Sequence, residues 1–189
     1  ELYRCFHWNY ILPDLYLLPG SDTDKLKQLK VGFILYSYYT DMISEMVSYL
    51  TVLPDNVDIY IFTNTLEKAQ KLNQECTAQK VKCKKITLVP NRGRDMGCLL
   101  VEGAQIIPSY DYIGFVHDKH SGHISPATAG EGFFKKCMQN MVYSQEYIYN
   151  VLDTFEQNPK LGLLSPPKPN HGSFANGIGQ EWGNNYELV

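Results

Sequence analysis

The chain has 189 residues, of which 44% are hydrophobic and 20% charged, and its formal net charge is −3. These values predict one soluble globular domain with a sizeable core and argue against nucleic acid as a partner, which usually requires a basic face. No apolar run approaches the roughly 20 residues of a membrane-spanning helix. The five cysteines include no C-x-x-C pair, which favours reduced thiols in a cytosolic setting. Because the chain begins without methionine and ends abruptly, we expect it to be a piece of a longer protein.

Residues 1–30 show no clear period, and their alternating aromatic residues and prolines predict a packed N-terminal arm. Residues 31–36 form a near-continuous apolar run, which predicts a first strand that is buried on both faces. A helix is expected to begin at Asp41 and to stop before Pro54, with Asp41 or Thr40 as its cap.

The next four elements follow in alternation. Residues 57–62 predict a second strand and residues 66–78 a polar surface helix, followed by a third strand over residues 81–89. An apolar periodicity then predicts a helix up to about Ile107, and residues 112–116 predict a fourth strand.

A long helical pattern covers residues 133–155, and a short apolar run at residues 161–164 predicts a fifth strand. Alternating strands and helices predict an α/β fold, a three-layer sandwich with a mostly parallel sheet and right-handed crossovers. The expected organisation is therefore an arm (1–30), one domain (31–167) and a loop-rich tail (168–189).

The turn after the third strand has the most informative composition. It consists of Asn91, Arg92, Gly93, Arg94 and Asp95. Open α/β sheets bind ligands beyond the carboxyl ends of their strands, and guanidinium groups there clamp diphosphates or carboxylates through forked N–H donors. The glycine permits a positive φ, and the aspartate can cap the helix or hold an arginine. The alternative is a capped turn whose arginines are merely solvated.

A second polar cluster, His117, Asp118, Lys119, His120 and Ser121, follows the fourth strand. His117 and Asp118 are candidate catalytic or metal-binding groups, and Lys119 or His120 can offset phosphate charge. The spacing lacks the i, i+4 helical geometry of zinc enzymes, so structural zinc is disfavoured. The alternative is a polar loop in which a histidine is paired with a backbone carbonyl.

Two other strand ends offer weaker signals. Tyr36 and Ser37 place an aromatic ring and hydroxyls after the first strand, where tyrosine rings suit stacking on a nucleobase. Asn64, after the second strand, can hold a base or ribose edge. No G-x-G-x-x-G or Walker lysine loop is present, which argues against a Rossmann dinucleotide site.

Taken together, these segments resemble the rhamnan synthesis F family of bacterial polysaccharide enzymes. The resemblance covers roughly residues 31 to 167 and rests mainly on the Asn-Arg-Gly-Arg-Asp turn and the His-x-Lys-x-Ser strand end. It implies a glycosyltransferase domain (hexosyltransferase or rhamnosyltransferase type) of cell-wall or capsular glycan synthesis. The implied partners are a dTDP- or UDP-linked sugar donor and a polysaccharide or lipid-linked acceptor, with a cytoplasmic location and membrane association through the parent protein.

The element order also resembles the nucleotide-binding half of a GT-A glycosyltransferase. In that fold an Asp-x-Asp motif after the fourth strand holds Mn²⁺ or Mg²⁺, whereas this chain has His117-Asp118-Lys119. A lysine there can neutralise diphosphate charge directly, so a metal-independent site is favoured, with Asp118 as the ligand if a metal is required. The acceptor half is expected beyond residue 167.

The sequence is compatible with three functions: glycosyl transfer, a non-catalytic nucleotide- or glycan-binding module of a multidomain synthase, and a metal-dependent hydrolase. The hydrolase would need His117, Asp118 and His120 to converge, which an extended strand end opposes. Under the first hypothesis Arg92 or Arg94, Asp95, His117 and Lys119 line one cleft, and loss of the Lys119 ammonium weakens diphosphate binding more than loss of the Asp118 carboxylate.

Overall fold

The computed structural model describes residues 10–120 and 127–166. Four strands form one all-parallel sheet in the order β3-β2-β1-β4. They are β1 Val31–Tyr36, β2 Val57–Thr63, β3 Cys83–Leu88 and β4 Tyr112–His117. The predicted α/β class and parallel sheet are confirmed, because the second and fourth predicted strands lie in the same sheet.

Six α-helices accompany the strands in the described residues. They are α1 Thr23–Gln28, α2 Ile43–Leu50, α3 Leu66–Ala78, α4 Arg94–Gly97, α5 Ala127–Gln139 and α6 Gln145–Gln157. A 3₁₀ turn, Thr40–Met42, precedes α2. After α4 the chain continues through a π-helical turn, Cys98–Glu102, and two 3₁₀ turns, Gly103–Gln105 and Ile107–Ser109.

The alternation of side chains along β1 separates the two faces of the sheet. Phe33 and Leu35 belong to a large core that also contains apolar residues of α1, α2, α3, α5 and α6. Ile34 and Tyr36 point to the opposite face, where a smaller core includes Cys98 of the π turn. Successive strand residues face opposite sides, so the sheet is the middle of three layers, with a thin layer of short helical turns on the second face.

Three expectations from the sequence are wrong in detail. Residues 161–164 are irregular and form no strand in the described part of the chain, since none of the four strands pairs with them. The single helix expected over residues 133–155 is two helices, since Ser144 caps α6 by accepting a hydrogen bond from the Tyr147 N–H at 3.0 Å. The helix expected up to Ile107 breaks into short turns. Within the predicted arm, Thr23–Gln28 forms helix α1, which the sequence pattern did not indicate.

The expected cap of the helix after β1 is also wrong. Neither Thr40 nor Asp41 makes a side-chain capping hydrogen bond to the 3₁₀ turn or to α2.

Cys5 and the tail beyond residue 166 lie outside the described residues, whereas the four described cysteines are free thiols. Of the described helices, none combines the length and the apolar character needed to cross a bilayer.

Gly114 is expected to be intolerant of a side chain, because β4 crosses the Phe33 ring there. The two residues are register partners, and a Cβ on Gly114 would lie 2.3 Å from the ring. We expect Gly114→Ala to lower the free energy of unfolding by about 1–3 kcal/mol through overpacking, measured by urea unfolding. Gly162→Ala is the matched control, because its Cβ would meet no atom within 4 Å. Equal stability of the two variants would contradict this close packing of β4 on Phe33.

Candidate functional site

The polar segments predicted from the sequence meet at the carboxyl edge of the sheet. The connections from β1 to β2 and from β2 to β3 cover one face, whereas the connection from β3 back to β4 covers the other. The chain therefore changes direction between β1 and β4, where Tyr36 and His117 are register partners. In open α/β sheets the crevice at this switch point is the usual ligand site.

Asp118 is the most buried charged residue at this edge, with 4% of its surface exposed. Its Oδ2 accepts hydrogen bonds from the backbone N–H groups of Tyr38 and Tyr39, at 2.7 and 2.8 Å, and from the Ser37 hydroxyl at 3.2 Å. All three donors belong to the turn that follows β1. The carboxylate therefore ties the end of β4 to the turn after β1, and it is directed into the domain.

The electrostatics of Asp118 reflect this burial. Loss of water contact raises the pKa of the carboxyl above its ordinary value, and the hydrogen bonds from Tyr39, Tyr38 and Ser37 oppose that rise only in part. Its second oxygen, Oδ1, is buried and has no hydrogen-bond partner in the described part of the chain. Burying a polar atom without a partner is costly, so the carboxylate is retained there against a free-energy penalty.

His117 links the end of β4 to the arginine turn. Its Nδ1 is 2.9 Å from the Asp118 carbonyl oxygen, and its Nε2 is 3.5 Å from the Asp95 carboxylate. For the cluster after β4, the alternative to a ligand site was a polar loop in which a histidine is paired with a backbone carbonyl. The structure contains that contact. It also places Asp95 beside His117 instead of at a helix cap, because Gly93 occupies the N-cap position of α4.

His120 makes a second link across the switch point. Its Nε2 lies 2.9 Å from the Asp41 carboxylate, and its ring meets that of Tyr39 edge-on, with centroids 4.3 Å apart. The hydrogen bond from His120 lowers the pKa of Asp41. The segments after β1 and β4 are therefore joined by side chains on their outer surface as well as through buried Asp118.

The arginine turn is held over the end of β1 although it follows β3, which lies two strands away. The Tyr36 hydroxyl donates a hydrogen bond of 2.7 Å to the Asn91 side-chain oxygen, and burial raises the pKa of Tyr36 to about 12, so the donor stays protonated. A Cβ on Gly97 would lie 2.2 Å from the Arg92 carbonyl oxygen. The position of this turn is therefore determined by the close approach of its backbone at Gly97, the Tyr36–Asn91 hydrogen bond and the Asp95–His117 contact.

The two arginines of the turn are exposed. Within the described residues neither Arg92 nor Arg94 takes part in an ion pair. Gly93 and Arg94 have φ angles of +80° and +53°. A positive φ suits the glycine, whereas for an arginine it stores strain of about 1–2 kcal/mol. Strain of this kind is commonly kept where a side chain must be aimed at a ligand.

Lys119 lies apart from these contacts. Its ammonium is 5.5 Å from the centre of the Phe133 ring on α5, and α5 packs on the sheet face opposite to the one that carries Tyr36. Among the described residues no contact joins Lys119 to the arginine turn. Ser121 lies outside the described residues.

Asn64 is joined to a residue that the sequence analysis missed. The Lys68 ammonium donates a hydrogen bond of 2.7 Å to the Asn64 side-chain oxygen and lies 4.3 Å from the centre of the Tyr38 ring. Lys68 thus brings a further positive charge to the carboxyl edge and covers one face of the ring. The i, i+4 spacing of Asn64 and Lys68 was the available signal.

The described residues hold no ready-made ligand set for a divalent cation. Across the described ranges no group of three or more His, Cys, Asp and Glu side chains converges. Asp118 Oδ2 is occupied by three hydrogen-bond donors, and His117 faces a carbonyl and a carboxylate. Metal dependence stays a prediction for binding experiments to test.

A cavity of about 540 Å³ lies at the other end of the sheet. It is lined by the first residues of three strands, Val31, Val57 and Tyr112, together with α6 and the irregular residues 161–165. None of the predicted site residues contributes to it. The cavity and the polar cluster are therefore separate features at opposite edges of the sheet.

A family model described as rhamnan synthesis protein F matches residues 3–189 of the chain. No curated protein and no solved structure matches significantly. The family match covers almost the whole chain and includes both polar strand ends described above. The chain therefore belongs to the rhamnan synthesis protein F family, which places it in polysaccharide synthesis.

Proposed function

We propose that this chain binds the diphosphate of a nucleotide-sugar donor at the carboxyl edge of its sheet, as a glycosyltransferase domain. It would transfer a sugar, with rhamnose as the first candidate, to a growing polysaccharide destined for the cell surface. The transfer would take place in the cytoplasm. The observation that carries this proposal is the arginine turn, which the Tyr36–Asn91 and Asp95–His117 contacts hold at the switch point while both arginines remain exposed. Membership of a rhamnan synthesis family supports it.

Glycosyl transfer requires positive charge beside the diphosphate leaving group. In glycosyl transfer the bond between the anomeric carbon and the diphosphate oxygen breaks, and the diphosphate leaves with the electron pair. The acceptor hydroxyl forms the new bond to carbon and passes its proton to a base, which is a basic side chain or an oxygen of the departing diphosphate. Groups that stabilise charge on the departing diphosphate lower the barrier, and Arg92 and Arg94 are suited to that task because guanidinium groups bind phosphate oxygens in pairs.

The remaining residues have proposed supporting roles. Lys119 would turn from Phe133 towards the diphosphate and supply the charge that Mn²⁺ or Mg²⁺ supplies in Asp-x-Asp enzymes. Asn64, His120 and Ser121 would line the donor site, whether the nucleotide is dTDP or UDP. Tyr36 and Ser37, the other two predicted donor-site residues, are buried and would support the site from beneath through Asn91 and Asp118. His117 and Asp118 are the remaining catalytic candidates, and the buried position of Asp118 favours a positioning role for it.

A second candidate is a nucleotide- or glycan-binding module without catalysis. The specific observation in its favour is that the described residues offer no exposed carboxylate free of partners beside the arginine turn, since Asp95 faces His117 and Asp118 is buried. A transferase that inverts the anomeric centre usually needs such a base. Under this alternative another domain or protein would supply catalysis.

Arg94→Gly is expected to separate binding from stability. Glycine adopts the φ of +53° without strain, so the free energy of unfolding should stay equal or rise by up to about 1 kcal/mol. Loss of the guanidinium should weaken dTDP or UDP binding at least about tenfold, because a charge-assisted contact to phosphate contributes roughly 1.5–3 kcal/mol. Calorimetry with and without Mn²⁺, and urea unfolding of the same samples, measure the two effects.

Three further variants complete this experiment. Lys119→Ala should weaken binding more than Asp118→Ala in the folded fraction, and Lys27→Ala, which removes a lysine from α1 at the amino end of β1, should not change it. Unaltered affinity of Arg94→Gly would overturn the diphosphate clamp. Affinity that appears only with Mn²⁺ and vanishes in Asp118→Ala would show a metal site instead. No binding of any nucleotide by the wild-type chain would favour the glycan-binding module.

A further inference from the structure

The helical segment after the arginine turn exposes large apolar side chains. Met96, Leu100 and Val101 are 49%, 62% and 68% exposed. Leu100 follows Met96 by four residues and Val101 by five, and the chain passes from an α-helical to a π-helical turn here. Residues four and five apart lie on one side of such a segment, so the three side chains share one outward face.

This exposure is a property of one side of the segment only. Cys98 is buried in the smaller core, and Leu99 packs against it. The backbone is therefore held against the sheet, and the segment carries apolar side chains on its outward side as well as on its inward side. Contiguous apolar surface of this kind marks interaction sites on folded proteins.

The segment that leads to this face differs in charge from the whole chain. Residues 80–101 contain six basic residues and one acidic residue, a formal charge of +5, although the whole chain has −3. Lys82 and Lys84 are paired with Asp55 and Asp58. Lys80 and Lys85, like the two arginines, are exposed and form no ion pair within the described residues.

Lys85 lies on the same side of the sheet as the apolar face. It is the register partner of Tyr60, and Tyr60 packs against the smaller core together with Leu99. Lysines on an edge strand also prevent sheets from pairing edge to edge, which would account for Lys84 and Lys85 of β3 and for Lys82 directly before it. That role does not require exposed Leu100 and Val101, so the combination of basic and apolar groups needs a further reason.

We propose that the face formed by Met96, Leu100 and Val101 docks on an anionic lipid surface. Apolar side chains flanked by lysine and arginine are the combination that binds the boundary between headgroups and acyl chains, and anionic lipids attract the surrounding positive charge. The face follows directly from the arginine turn, so docking would bring the carboxyl edge of the sheet close to the bilayer. The proposal does not depend on the donor bound there.

Vesicle sedimentation tests this proposal. The wild-type chain should sediment with vesicles that contain phosphatidylglycerol and much less with pure phosphatidylcholine, and high salt should release it, because exposed charges are screened. The double variant Leu100→Ser/Val101→Ser should bind at least about tenfold more weakly, since burying each apolar side chain favours transfer by a factor of ten or more. Lys85→Glu should shift the salt dependence.

Leu66→Ser is the matched control, because Leu66 is 63% exposed at the start of α3, outside the basic segment. It should bind vesicles like the wild type. Three results would overturn the proposal: no binding of the wild type to anionic vesicles, equal loss in Leu66→Ser, or a concentration-dependent dimer that the double variant abolishes. The last result would assign the face to a second copy of the chain. Urea unfolding of all variants checks that loss of binding is not loss of folding.

Discussion

Asp118→Ala is expected to lower the free energy of unfolding by about 2–4 kcal/mol, measured by urea unfolding. Removal of the carboxylate leaves the N–H groups of Tyr38 and Tyr39 and the Ser37 hydroxyl without their acceptor. Each buried donor that loses its partner costs roughly 1–3 kcal/mol. The end of β4 would also lose its buried connection to the turn after β1. The loss of stability should therefore be as large as that caused by a substitution in the hydrophobic core, although Asp118 lies in a loop.

Asp118→Asn separates the acceptor from the charge. Asparagine keeps an oxygen for the same donors and should lose much less stability than alanine. The pKa of Asp118 is raised in the folded chain above its ordinary value of 3.8. Its ionisation therefore costs stability: the favourable contribution is complete below about pH 3.8 and is lost as the pH rises through the raised value. Asp118→Asn should remove this slope.

Asp111→Ala is the control for both measurements. Its carboxylate also accepts a backbone hydrogen bond, from the Lys30 N–H at 2.9 Å, but on the exposed amino edge of the sheet. Its loss should cost clearly less than the loss of Asp118. If Asp118→Ala and Asp111→Ala unfold alike, Asp118 does not hold the two strand ends together, and its burial has another cause.

Gly97→Ala is expected to displace the arginine turn and to weaken nucleoside diphosphate binding at least about tenfold. The added Cβ would come within 2.2 Å of the Arg92 carbonyl oxygen. A backbone atom cannot rotate away as a side chain does, so the peptide between Arg92 and Gly93 must move. A displacement of this size separates forked N–H donors from their phosphate acceptors. Calorimetry measures the affinity, and urea unfolding measures the accompanying loss of stability.

Gly132→Ala is the matched glycine substitution. Gly132 lies in α5, and its Cβ would meet no atom within 4 Å. Alanine at an open helical position should raise stability by about 0.5–1 kcal/mol and leave nucleotide affinity unchanged. Wild-type affinity in Gly97→Ala would mean that the position of the turn does not matter for binding, and the donor site would have to be sought elsewhere on the carboxyl edge.

Long, strongly patterned elements were predictable from the sequence. The unbroken apolar run of β1 predicted a strand that is buried on both faces, and all six residues of β1 are buried. The polar pattern of residues 66–78 predicted α3 with the observed bounds. The four-residue run 161–164 was a poorer guide, because a strand exists only where a neighbour pairs with it. The break before α6 was missed because the apolar period continues across it, although Ser144 is a favoured cap.

The sequence by itself determined the α/β class, the parallel sheet and the polar residues at the strand ends. These follow from local patterns: the spacing of apolar side chains and the residue types at turns. Only the tertiary structure decided that the turn after β3 reaches back to Tyr36 and His117, and that Asp118 points inward while Arg92 and Arg94 remain exposed. Such contacts join residues far apart in the chain, and they depend on strand order and on the direction of each crossover, which local patterns do not encode.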